Sequence, residues 1–139
     1  MSGNYKTLLS LERTDFAILF FRIAISSLML LVHGTDKLIM LFGDEPSQFN
    51  MDPVGIGVTA SLALATFAEF ICSILVIIGL GTRLAVIPLI VTMVIAASIV
   101  MAPEGISGQE TPLLYLAGYP MLFYTGAGRF SLDQLFLKK

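Results

Sequence analysis

A chain of 139 residues with 56% hydrophobic and only 13% charged side chains departs from a soluble domain, which carries roughly 45–50% and about 25%. Its net charge of −2 excludes a nucleic-acid binder of the usual basic kind. A single cysteine, Cys72, and a single histidine, His33, exclude an intramolecular disulfide, a CxxC redox pair, a thiolate-held metal or iron-sulfur cluster, and a haem with two imidazole ligands.

In chain order, four apolar runs predict four spanning helices, at about 16–42, 56–80, 84–102 and 112–127. The first three approach or exceed the roughly 20 residues that a span requires. None keeps the polar face that a helix of a soluble bundle would show. Lys6 and Arg13 precede the first run, which is too long for a signal peptide and lacks a small-residue cleavage motif, so it reads as a retained span. Leu8, Leu9 and Leu11 in the tail suggest contact with the membrane surface. Thr111 followed by Pro112 is a good N-cap and first-turn pair, which starts the fourth helix at Pro112. Along it, Tyr115 and Tyr119 near one end and Phe123 and Tyr124 near the other fit either the two membrane interfaces or plain packing. Ser131 and Gln134 have capping-box spacing, and Leu132, Leu135 and Phe136 share a side, predicting a short interfacial helix over about 131–137.

Charge sets the expected topology. Lys6, Arg13, Arg83, Arg129, Lys138 and Lys139 fall on the two tails and the second loop, against Lys37 alone for the other two loops. By the positive-inside rule the termini and the turn at 81–83 are cytoplasmic. The loops holding Asp44, Glu45, Asp52, Glu104 and Glu110 then face outward. The expected fold is all-α: one membrane domain over 1–139, an antiparallel four-transmembrane-helix bundle with both termini cytoplasmic.

Polar residues inside the runs are the candidate site. Arg22, Ser26, Met29, His33 and Asp36 recur at intervals of three and four, one face of the first helix. A charge at the bilayer centre costs at least about 2.5 kcal/mol on insertion scales, so this stripe should face the bundle interior. Glu69, with Thr66 and Ser73 on its face, answers from the second helix. Measured from Leu80 and Phe16 as the cytoplasmic edge, Glu69 lies roughly 16 Å deep and Arg22 roughly 9 Å, which predicts an Arg22 to Glu69 ion pair. The other reading is that Arg22 snorkels to the surface and Glu69 is protonated. His33, beside Asp36 and Lys37, could relay protons or orient a polar ring. Cys72 reads as a packing residue. One histidine and one cysteine offer no metal site, and no glycine-rich flavin or nicotinamide fingerprint is present.

Several short fragments, taken in order, resemble the DoxX family of small four-span bacterial membrane proteins. They are Arg22, His33-Gly34 with Lys37-Leu38, Glu69, the run Gly79-Leu80-Gly81-Thr82-Arg83, and the run Gly126-Ala127-Gly128-Arg129-Phe130-Ser131-Leu132-Asp133. The resemblance implies the bacterial inner membrane and a link to quinone redox chemistry, because the family is similar to the membrane subunit of a thiosulfate:quinone oxidoreductase. It points to Arg22, His33, Lys37, Glu69 and Arg83 as functional positions. With the stripe, this gives Arg22, His33 and Glu69 as catalytic candidates and Lys37, Ser26, Thr66 and Ser73 as substrate-binding candidates. A non-covalently bound quinone is the expected cofactor. The expected partners are the lipid bilayer, oxidoreductase subunits and further copies of the chain, and not nucleic acid. Two other readings stay open. One is a non-catalytic scaffold or assembly subunit, with Gly55, Gly57, Ala60, Ala63, Ala96, Ala97 and Ser98 as close-packing surfaces. The other is a small proton-coupled transporter built on Glu69.

Overall fold

The computed structural model describes residues 2–43 and 50–137, and all regular structure among them is helical. Asp44, Glu45, Lys138 and Lys139, which entered the charge count, lie outside the described residues. Helix α1 covers residues 2–42, α2 Val58–Ile78, α3 Thr82–Val100, α4 Gly105–Thr125 and α5 Leu132–Leu137. Each of α1 to α4 packs against the next, and α4 returns to α1 to close a four-helix bundle.

Ser10–Phe42 within α1, together with α2 and α3, are long and apolar enough to cross a membrane. Helix α4 has 21 residues, but Ser107, Gln109 and Glu110 in its first turns make its start polar. The distribution of side chains is inverted relative to a soluble protein. Phe20 is 69% and Leu84 75% exposed, while Arg22 is 2% and Glu69 3% exposed. Hydrocarbon solvates the former and excludes the latter, so this arrangement suits an apolar surrounding such as a bilayer and not water.

Two boundaries differ from those predicted. Helix α1 begins at Ser2 rather than Phe16, because no proline and no internal glycine interrupts residues 4–15. Helix α4 begins at Gly105, so Thr111 and Pro112 sit inside it rather than starting it. The break falls at Gly105 because its φ of +70°, following the 3-10 turn Ala102–Glu104, is a conformation that other residues rarely adopt. A short helix stands where one was expected, as α5, with Leu135, Phe136 and Leu137 exposed. The Ser131 hydroxyl before it donates to the Gly128 carbonyl at 2.8 Å.

Three of the four long helices contain a π-helical stretch, at Met29–Gly34 in α1, Phe67–Cys72 in α2 and Ala96–Val100 in α3. In the first, the Thr35 N–H reaches back five residues to the Leu30 carbonyl. Such wide turns are costly unless packing demands them, and they recur at functional sites. Those of α1 and α2 lie against each other.

Candidate functional site

The π stretch in α1 explains which polar groups meet. A wider turn delays the helical phase, so the stripe Arg22, Ser26, Met29 does not continue inward through Asp36. After the stretch the inward positions are Gly34, which is buried, and Lys37, while Asp36 is exposed. Gly34 lets α2 approach closely: a Cβ at this position would lie 2.6 Å from the Glu69 carbonyl oxygen and 2.9 Å from its carbon. That approach delivers the Glu69 side chain to Lys37, whose Nζ donates to Glu69 Oε2 at 2.5 Å. The expected Arg22 to Glu69 pair is therefore absent, and Lys37 takes its place. The error lies in the depth estimate, which set Phe16 level with Leu80. In the fold Arg22 lies beside Gly79 and Gly34 beside Glu69, so Arg22 and Glu69 are about 18 Å apart along α1.

His33 stands at the same level. Its ring meets that of Tyr115 edge-on at 6.0 Å, and Tyr115 stacks on Tyr119 at 5.8 Å. Both tyrosines are buried within the bundle, whereas Tyr124 is 85% exposed on its outside. His33, Lys37 and Glu69 line one end of a cavity of about 550 Å³. Its remaining walls are mostly apolar side chains such as Leu64, Phe67, Val91 and Ile95, with Ser61, Thr92 and Thr111 among them and Met51 and Pro53 from the segment before α2. Irregular backbone makes the room. Pro88 removes an N–H from α3, the π stretch widens its end, and Pro112 removes an N–H from α4 at the same wall. The Gln109 amide donates to the Ala97 carbonyl at 2.9 Å, tying the irregular end of α3 to α4. A long apolar cavity with a single ionic pole suits an amphipathic ligand whose ring or head group accepts hydrogen bonds.

Arg22 belongs to a second cluster at the opposite end of the bundle. Its guanidinium donates to the Ala127 carbonyl and, at 2.9 Å, to the Phe130 carbonyl. Gly79, with φ of +73°, makes space for it: a Cβ there would meet Ser131 Cβ at 2.5 Å and Arg22 Nη1 at 2.8 Å. The Asp133 carboxylate accepts from the N–H groups of Gly81 at 2.7 Å and Thr82 at 3.2 Å, capping α3, and its own N–H donates to the Gly79 carbonyl at 2.9 Å. Arg83 donates to the Tyr124 carbonyl at 3.2 Å, and Asp15 accepts from the backbone N–H of Arg129 at 3.1 Å and pairs with its side chain at 3.3 Å. The two motif runs at 79–83 and 126–133 thus form a clasp that ties the second turn, the end of α4 and α1 together.

The structure thereby sorts the sequence candidates. His33, Lys37 and Glu69 share the cavity; Arg22 and Arg83 hold the clasp. Thr66 is buried with its hydroxyl donated to the Leu62 carbonyl at 2.8 Å. Ser26 and Ser73 are buried between the two clusters. Sequence reasoning missed Tyr115 as a neighbour of His33, although its place on a helix with Tyr119 four residues on was a signal of an inward face. It also missed Asp15 and Asp133, because nothing local shows that a carboxylate in one segment caps a helix from another.

Comparison with known proteins agrees with this architecture. Over 127 residues the chain is 31% identical to the uncharacterized membrane protein Rv3486 of Mycobacterium tuberculosis, covering 81% of this chain and 77% of that protein. No solved structure matches it. The DoxX family model matches residues 17–102, a stretch that contains Arg22, the Gly34 crossing, the Lys37–Glu69 pair and the first half of the clasp; the chain is an integral membrane protein of the DoxX family.

Proposed function

We propose that this chain spans the bacterial inner membrane four times with both termini cytoplasmic, and that its cavity binds a quinone as part of a quinone-linked redox assembly. The observation that carries this reading is the cavity itself: apolar walls closed at one end by Lys37, Glu69 and His33. An isoprenoid tail matches the walls, and ring oxygens match the pole. At the pole, Lys37 and His33 offer hydrogen-bond donors to a ring carbonyl, and Glu69 sets the position of the Lys37 ammonium through their 2.5 Å contact. A quinone bound there would supply two-electron, two-proton redox chemistry, with electrons arriving from a partner oxidoreductase subunit. The proton-exchanging groups at the pole are Glu69, Lys37 and His33. α4 completes the fourth span because its apolar part, from Leu113 onward, lies alongside α3 through the bundle.

The test is lipid-extract analysis of protein purified in mild detergent, together with melting in the presence of a short-chain quinone. Co-purified quinone and a raised melting temperature are expected, with both reduced in Lys37→Met; at a ligand concentration 100 times Kd the stabilisation is about 2.7 kcal/mol. Protein that neither retains quinone nor responds to it overturns the reading.

A second reading, a scaffold or assembly subunit, is favoured by the clasp, which gives Arg22, Gly79, Arg83 and Asp133 architectural duties. Mild-detergent pull-down checks it: oxidoreductase subunits recovered with a chain that holds no quinone would favour the scaffold.

A further inference from the structure

Between the ionic pole and the clasp, three helices direct hydroxyls at one spot. Ser26 of α1 and Ser73 of α2 both face the phenol oxygen of Tyr119 of α4, and all three residues are completely buried. The two serines come within reach of the Tyr119 hydroxyl, but none of the three makes a direct hydrogen bond of good geometry, and Arg22 Nε, one helical turn below Ser26, has no partner among the described residues. Buried polar groups are almost always paired, and the exceptions mark strain or a bound water or ion. A buried water makes about three hydrogen bonds, which matches three hydroxyls converging from three chain segments. The neighbouring side chains include the Tyr115 ring stacked on Tyr119, which leads to His33 and the cavity.

We infer that Ser26, Ser73 and Tyr119 form an internal water site inside the bundle, and that its water exchanges with bulk. The site continues the polar interior from the cavity's pole toward Arg22 and the clasp. Its existence does not depend on what the cavity binds. In the quinone reading it gives the Lys37, Glu69 and His33 group a hydrated neighbour on the side away from the cavity mouth.

Radiolytic hydroxyl-radical footprinting of the full chain in nanodiscs, read by mass spectrometry, tests this. Radicals form from water on the spot, so a buried tyrosine is oxidised only where water is bound beside it. Tyr119 should be oxidised despite its burial, with exposed Tyr124 as the positive control and the buried Leu122, one turn away, as the dry reference. In Ser26→Ala/Ser73→Ala the oxidation of Tyr119 should fall severalfold while Tyr124 is unchanged. Where that double variant does not fold, Ser73→Ala alone gives the same comparison. Rapid mixing into heavy-oxygen water before irradiation should place the heavy isotope on Tyr119. An unoxidised Tyr119, or one oxidised equally without the serines, overturns the water site. A Tyr119 that carries only light oxygen overturns the exchange. Quinone retention is measured separately, so either proposal can fail alone.

Discussion

Which cation holds Glu69 can be decided by double-mutant cycles. Both members of the Lys37–Glu69 pair are largely out of water, with side chains 20% and 4% exposed. Breaking a buried pair costs about 3–5 kcal/mol, because the surviving charge is stranded; the partial exposure of Lys37 brings the expected loss in Lys37→Met to about 2–4 kcal/mol. Glu69→Leu should lose a similar amount. The double variant strands nothing, so it should be less destabilised than the sum by about 2 kcal/mol. Arg22 and Glu69 lie about 18 Å apart along α1, well outside the 7–10 Å within which coupling is expected, so Arg22→Leu and Glu69→Leu should add to within about 0.5 kcal/mol. The measurement is equilibrium unfolding of all six proteins (wild type, three single variants and two doubles) in mixed detergent micelles. An Arg22/Glu69 coupling above about 1 kcal/mol, or a Lys37/Glu69 coupling near zero, refutes the partner assignment.

Other outcomes follow from the same geometry. Gly34→Ala places a methyl against the backbone of Glu69, so the helices must part; a loss of about 1–3 kcal/mol on unfolding is expected, together with weaker quinone retention. Asp133→Ala uncaps α3 and should cost about 1–2 kcal/mol, and Asp133→Asn less, read as melting temperature without a change in cavity ligand. Asp52 accepts from Ser61 Oγ at 2.8 Å, the Gly57 N–H at 2.8 Å and the Ile56 N–H at 3.0 Å, and these bonds hold its carboxyl below the ordinary aspartate range, Ser61 contributing most. A depressed pKa contributes stability that is present above the unfolded value of about 3.9 and is lost as pH falls through the folded one; acid titration of the melting temperature should show this loss in the wild type and not in Asp52→Asn. Cys72 is 2% exposed, so a membrane-permeant maleimide should label it only on unfolding, and labelling of the folded protein at the rate of an exposed thiol would contradict its placement in the core.

The amino-acid sequence by itself determines that this is a helical membrane protein, because apolar runs of spanning length have no other low-energy environment. It also determines that Arg22, Glu69, Ser26 and Ser73 turn inward, since hydrocarbon offers such groups no partner. His33, Lys37 and Glu69 were each named from the sequence, but there Glu69 was paired with Arg22 and Lys37 entered only through the family resemblance. Which inward groups meet was decided by tertiary structure alone. Register between α1 and α2 is fixed by the Gly34 crossing and by the Gly79 gap that admits Arg22, and neither contact leaves a periodic mark in the chain. The π stretch at Met29–Gly34 then replaces Asp36 by Lys37 on the inner face, a shift that extrapolation at a fixed angle per residue must miss. The clasp was legible as motifs but not as a clasp, because its hydrogen bonds join segments about 50 to 110 residues apart and local sequence carries no information about such closure.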